Sequence, residues 1–107
     1  MHIVYDNKYN RDLKKLKRKN MFDELERIDK IKDIILSSDN LHELLISQYS
    51  IIYGISQKHG DLREIITAKV NSKLRLWMKP VGEYPYKYIT ILEIEFLKID
   101  DKHYEEG

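Results

Sequence analysis

Cysteine is absent from the 107 residues. That excludes disulfides and thiolate metal sites. The four histidines, His2, His42, His59 and His103, lack the close spacing of a metal motif such as His-Glu-x-x-His. No metal and no other cofactor is expected. Long apolar runs are missing too: none approaches the roughly 20 residues that a bilayer-spanning helix needs. Residues 1–6 do not have the layout of a signal peptide. The expectation is a cytoplasmic protein with no membrane partner. Net charge is nearly absent, at +1, and hydrophobic content of 42% stands beside 35% charged residues. This is the balance of a well-solvated chain with room for a single domain, residues 1–107, and one core.

The small net charge hides a segregation. Residues 8–20 hold seven bases (Lys8, Arg11, Lys14, Lys15, Lys17, Arg18, Lys19) and one acid, Asp12. Residues 21–43 hold seven acids and three bases, residues 58–79 six bases and two acids, and residues 83–107 seven acids and three bases. Local basic patches of this kind bind anions even when the total is near neutral.

Ile3, Val4 and Tyr5 make a short strand, and Asp6 or Asn7 can cap the helix that follows. Tyr9, Leu13 and Leu16 fall on one helical face, leaving a basic outer side. Asn20 is a candidate C-terminal cap. In the next helix, residues 21–36, Met21, Leu25, Ile28, Ile31 and Ile35 form an apolar stripe, and so short a break predicts a helical hairpin. Residues 37–40 are a second break, followed by one or two more helical turns. Residues 49–53 read as extended. Gly54 and Gly60 punctuate the next stretch, with a turn over Lys58, His59, Gly60 and Asp61.

Residues 64–70 and 73–79 alternate as two strands. A three-residue turn over Asn71, Ser72 and Lys73 pairs Val70 with Leu74, Ala68 with Leu76 and Ile66 with Met78, which keeps both apolar sets on one face. The same register sets Lys69 opposite Arg75 and Thr67 opposite Trp77. Like charges face to face are unfavourable in water and useful against a phosphate. This second face is expected to be open, with Lys69, Arg75 and Trp77 exposed. Residues 80–87 form a loop in which Tyr84 and Tyr86, with Tyr88 beyond, pack together. A last strand, residues 88–99, is apolar on both faces and so belongs inside the sheet. Its alternation slips between Phe96 and Leu97, which predicts a bulge. The fold class is α+β: a small antiparallel sheet with an N-terminal helical hairpin packed on one face.

Two stretches carry a resemblance. Val70, Asn71, Leu74 and Arg75 fit a strand that ends in an asparagine turn followed by an apolar residue and an arginine. Asp101 and His103 fit a C-terminal strand that ends in aspartate, tyrosine and histidine; Lys102 stands at the tyrosine, and Tyr104 follows. In these features the chain resembles the RelE/ParE superfamily of type II toxin–antitoxin toxins, most nearly its HigB-like (plasmid killer) branch. The resemblance implies a RelE-like fold and a metal-independent endoribonuclease that cuts mRNA on the ribosome. It also implies a cognate antitoxin of helix-turn-helix type as partner, with operator DNA contacted only through that antitoxin.

The residues suit that chemistry. Attack of a ribose 2′-hydroxyl on the adjacent phosphate needs a base, charge stabilisation and an acid. Arg75, Lys73 and Lys69 can stabilise charge, the guanidinium with two parallel bonds. His103 titrates near neutrality, and Asp101 and Tyr104 stand beside it. The catalytic candidates are His103, Tyr104, Asp101, Arg75 and Lys73. Lys69, Trp77, Lys102, His59 and Lys58 are candidates for holding RNA, Trp77 by stacking on a base. The run over Lys14 to Lys19 is a solvated helix face or a further site for RNA or an acidic antitoxin segment. Two other functions fit the same resemblance: a ParE-like poison that binds DNA gyrase, and a non-catalytic RNA-binding or antitoxin-binding module.

Overall fold

A computed structural model of the protein describes residues 1–102. Along the chain come β1 (His2–Tyr5), α1 (Asn7–Arg18), α2 (Phe22–Ser37), α3 (Leu41–Ile46), α4 (Gln48–Ile52), β2 (Ser56–Gln57), β3 (Ile66–Lys69), β4 (Leu74–Pro80) and β5 (Glu93–Asp101). Single 3-10 turns cover Gly60–Leu62 and Tyr88–Thr90.

Local chemistry sets the helix ends. Asp6 caps α1 by accepting the Lys8 N–H at 2.8 Å. Asn20 takes the left-handed conformation (φ +54°). The N–H of Met21 returns to the Leu16 carbonyl and that of Asn20 to the Lys17 carbonyl, both at 3.1 Å. This closes the helix as a Schellman motif, and the chain turns directly into α2. The stripe expected on α2 is inside: Ile28, Ile31 and Ile35 are buried, with Met21 and Leu25 at its margin. On α1 the buried set is Tyr9, Asp12 and Leu16, while Leu13 is only partly covered.

The sheet order is β1-β5-β4-β3-β2. The expected hairpin register is present, with Ile66 opposite Met78, Ala68 opposite Leu76, Thr67 opposite Trp77 and Lys69 opposite Arg75. The expected bulge is also present. Trp77 faces Lys98 but Met78 faces Phe96, so Leu97 is the extra residue. One face of the sheet carries Ile66, Ala68, Leu76, Met78, Ile94, Phe96 and Ile99, all buried in one cluster with the inner faces of α1, α2 and α3. Tyr9 sits in that cluster, stacked on Tyr5 at 5.6 Å and edge-on to Phe96 at 5.2 Å. Its hydroxyl is buried with no hydrogen bond among the described residues, and burial pushes its pKa far up.

Three expectations are corrected. The sheet is not wholly antiparallel, because β1 runs parallel to β5. The two are not joined by a hairpin, and the long path between them permits parallel pairing. Residues 49–53 are not extended. The segment is the short helix α4, closed at Gly54 (φ +59°) by the Ile55 N–H on the Ser50 carbonyl at 2.7 Å. Finally, β5 begins at Glu93. The preceding residues make a turn in which the Thr90 N–H returns to the Lys87 carbonyl at 2.8 Å. That turn leaves Ile89 and Leu92 exposed.

The end of β5 is held by a buried acid. β1 stops at Tyr5, and the Asp6 N–H makes the last bond on that side, to the Phe96 carbonyl at 3.0 Å. Beyond it α1 replaces the strand: Asp12, only 6% exposed, accepts the Ile99 N–H at 3.0 Å. Lys8 Nζ lies 2.9 Å from the other Asp12 oxygen. A strand edge that would otherwise lack a partner is satisfied from a helix, and this fixes where β5 delivers Asp100, Asp101 and Lys102.

Candidate anion site

On the sheet face away from the helices, two rows run across three strands. One is Thr67, Trp77 and Lys98; the other is Lys69, Arg75 and Asp100. This face is less open than expected: Arg75 and Trp77 are each 4% exposed, and Thr67 is buried. β4 is a central strand, so its outward side chains have neighbours on both sides. Lys98 lays its ammonium 4.4 Å from the Trp77 ring centre and 3.4 Å from Asp100. An indole covered in this way is not an exposed platform for a base, which corrects the expectation for Trp77. Lys69 remains exposed.

Asn71 organises the turn between β3 and β4. Its Oδ1 accepts the N–H groups of Lys73 at 2.8 Å and Leu74 at 2.7 Å, as asparagine does in tight turns. Its Nδ2 donates to Glu24 of α2 at 3.0 Å. Its carbonyl accepts Arg75 Nη1 at 2.7 Å, with the Leu74 carbonyl at 3.1 Å from the same nitrogen. The turn thus holds the guanidinium of the strand that leaves it.

Lys69 is placed by α4. Its N–H donates to the Tyr53 carbonyl at 2.8 Å. Its stem crosses Gly54 so closely that a Cβ there would lie 2.6 Å from Lys69 Cγ. Arg27, on α2, ties the same corner together. Its Nε donates to the Lys69 carbonyl at 2.6 Å, its Nη2 to the Ile52 carbonyl at 3.1 Å, and its Cζ lies 4.7 Å from the Tyr53 ring centre.

These side chains line a cleft of about 410 Å³ bounded by Arg27, Lys69, Val70, Asn71, Ser72, Arg75 and Lys102. Four of the seven are cations and none is an acid. Crowded positive charge of this kind attracts anions, and two guanidinium forks suit phosphate. Among the described residues no three His, Cys, Asp or Glu side chains gather as a metal-holding group.

The structure divides the candidates named from the sequence. Lys69, Arg75 and Lys102 meet in the cleft. Lys73 and Asp101 do not; they line a second cleft of about 380 Å³ with Lys8, Asp12, Lys15, Lys19 and Asp100, between α1 and the end of β5. That cleft has mixed charge. Lys58 bonds through its N–H to the Ile65 carbonyl, at the far end of β3, about 13 Å along the strand from Lys69 at 3.3 Å per residue. His59 follows it there, exposed, and neither lines the cleft. His103 and Tyr104 lie outside the described residues. Arg27 was missed from sequence. Its place amid the acids of α2 hid it, and only its phase, one residue before the buried Ile28, hinted that it reaches the sheet edge.

No protein-family model and no curated protein matches the chain. Solved structures do. YafQ from E. coli strain BL21(DE3) superposes with a TM-score of 0.67 at 10% identity, covering 98% of this chain and 97% of that one. The E. coli DinJ–YafQ toxin–antitoxin complex matches at 0.63 and 13%, covering 98% and 96%. The YoeB/ParE toxin from Agrobacterium tumefaciens matches at 0.63 and 13%, covering 94% and 98%. At such identities the likeness is one of fold: the chain has the α+β, RelE-like fold of the YafQ and YoeB/ParE toxins over nearly its whole length.

Proposed function

We propose that this protein is the toxin of a type II toxin–antitoxin pair and that it cleaves mRNA on the ribosome without a metal. The observation that carries the reading is the cleft lined by Arg27, Lys69, Arg75 and Lys102, with no acid among its described lining residues, on a fold shared with YafQ. Attack of a 2′-hydroxyl on its phosphate builds extra negative charge on the phosphate oxygens. Arg75, held by Asn71, and Lys69, held over Gly54, would stabilise that charge in place, with little reorganisation. Lys102 adds a third cation from the end of β5. His103, the next residue along the chain, and Tyr104 are assigned the proton transfers. Lys73 and Asp101, across the turn, are left out of the chemical step. A cognate antitoxin is the expected partner, by analogy with the complex in which YafQ is held by DinJ. The HigB-like affiliation rests on the Asn71–Arg75 and Asp101–His103 motifs.

Controlled expression tests this. Growth should arrest, and mapped mRNA 5′ ends should show new cuts within reading frames. Lys69→Ala and Arg75→Ala should each slow cleavage about 100-fold or more, and His103→Ala should abolish it. Arrest with gyrase-dependent DNA breaks and intact mRNA would make the protein a ParE-like poison instead. Toxicity that survives both Arg75→Ala and His103→Ala would defeat the nuclease reading.

A further inference from the structure

We infer that Arg27 of α2 is a second guanidinium of the anion site and contacts an RNA phosphate; this rests on the nuclease reading above. Three observations carry it. Arg27 lines the cleft together with Lys69, Arg75 and Lys102. It is held by backbone: Nε on the Lys69 carbonyl and Nη2 on the Ile52 carbonyl, with the Tyr53 ring beneath the plane. Its remaining nitrogen, Nη1, makes no hydrogen bond, and the guanidinium makes no ion pair, among the described residues. Glu24, one turn back on α2, is engaged by Asn71 instead.

Arg27 also borders Asp23, Glu24 and Glu26 on its α2 side, but it forms no ion pair with them among the described residues, and the fork it turns to the cleft meets Lys69, Arg75 and Lys102. A phosphate oxygen supplies the missing partner. The fork is already fixed by two carbonyls and a ring, so little side-chain entropy is lost when the phosphate arrives. The Lys69 carbonyl accepts from Arg27 while the Lys69 side chain lines the same cleft, so one residue registers both cations on the same anion. Lysine at position 27 keeps the charge but cannot hold two carbonyls and present a third nitrogen at once.

The test uses the full chain and a single-stranded RNA with 2′-O-methyl riboses, which binds but cannot be cut. Affinity is measured from about 50 to 200 mM salt. Arg27→Gln should reduce the slope of log affinity against log salt by about 0.7, the value for one lost contact to a single strand. Arg27→Lys should keep the slope and lose part of the affinity. If Arg27→Gln binds with wild-type slope and affinity while Lys69→Ala loses both, Arg27 is only a staple and the nuclease reading stands. If neither variant changes binding, the nuclease reading itself fails. Should Arg27→Gln not fold, the wild-type protein decides: guanidinium resonances of Arg27 that shift as the RNA is added support the contact, and resonances that stay fixed overturn it.

Discussion

Gly54→Ala should weaken both the fold and the cleft, for separable reasons. Gly54 ends α4 at φ +59°. An L-residue held in that region costs about 1–2 kcal/mol. The added methyl also meets Lys69, 2.6 Å from Cγ and 2.8 Å from Cδ. The strand cannot back away, because the Lys69 N–H is bonded to the Tyr53 carbonyl at 2.8 Å. The stem must therefore leave its rotamer, at a further 0.5–1.5 kcal/mol or so. The sum, about 2.5 kcal/mol, corresponds to a fall in Tm of roughly 10–20 °C for a chain of this size. RNA binding should weaken as well, since the Lys69 ammonium is displaced. A double-mutant cycle in urea separates the parts. In a Lys69→Ala background Gly54→Ala should cost only the backbone share, leaving a coupling of about 0.5–1.5 kcal/mol. An equal cost in both backgrounds would refute the packing of Lys69 on Gly54. No cost in either would refute the left-handed cap.

Asp12→Ala leaves the Ile99 N–H buried without its acceptor and should destabilise by about 1–3 kcal/mol in urea unfolding. Asp12→Asn keeps an acceptor, loses mainly the half-exposed pair with Lys8, and should cost about 0.5 kcal/mol. Tyr9→Phe removes a buried hydroxyl that has no hydrogen bond among the described residues, and should raise stability by about 1 kcal/mol. Tyr86 donates to the Glu64 carbonyl at 2.7 Å. Burial first, then Glu64, Tyr84 and Tyr88, push its pKa up to about 12. A pKa raised above the unfolded value of about 10 favours the folded state fully below pH 10, and the benefit fades as pH rises through 12. On the order of 2–3 kcal/mol should be lost across that window, and Tyr86→Phe should flatten the loss in alkaline urea titrations.

The β3–β4 hairpin was legible because alternation, turn length and the wish to keep Val70, Ala68 and Ile66 on one face allow a single register. The bulge at Leu97 was legible as a break in phase, and the α1 cap as an asparagine between two helical patterns. Residues 49–53 misled, because β-branched and aromatic residues normally signal a strand. Here Ile51 is 85% exposed, so no packing constrained the pattern, and only Gly54 betrayed the helix end. For the site, the charged row Lys69–Arg75 could be read from register, but burial could not. Whether a cation on a sheet face meets water depends on its neighbours across strands, and Lys98 and Asp100 come from a strand more than twenty residues away. The parting of Lys73 and Asp101 from Arg75 arises from the turn and from side-chain alternation along β5, which one-dimensional proximity conceals.

The position of β5 also bears on how the chain assembles. Among the described strands β1 pairs with β5 alone, with His2 opposite Glu93, and α1 gives its buried carboxylate to Ile99. Residues 1–20 therefore lack this sheet partner until β5 has been synthesised. Contacts that span some ninety residues of sequence make for slow, late folding. Lys69 and Arg75 meet Lys102 only once that strand has docked. During synthesis the cationic cleft does not yet exist, so a chain still being translated carries these cations on separate, unassembled segments. The order of manufacture delays the site until the whole sheet is closed.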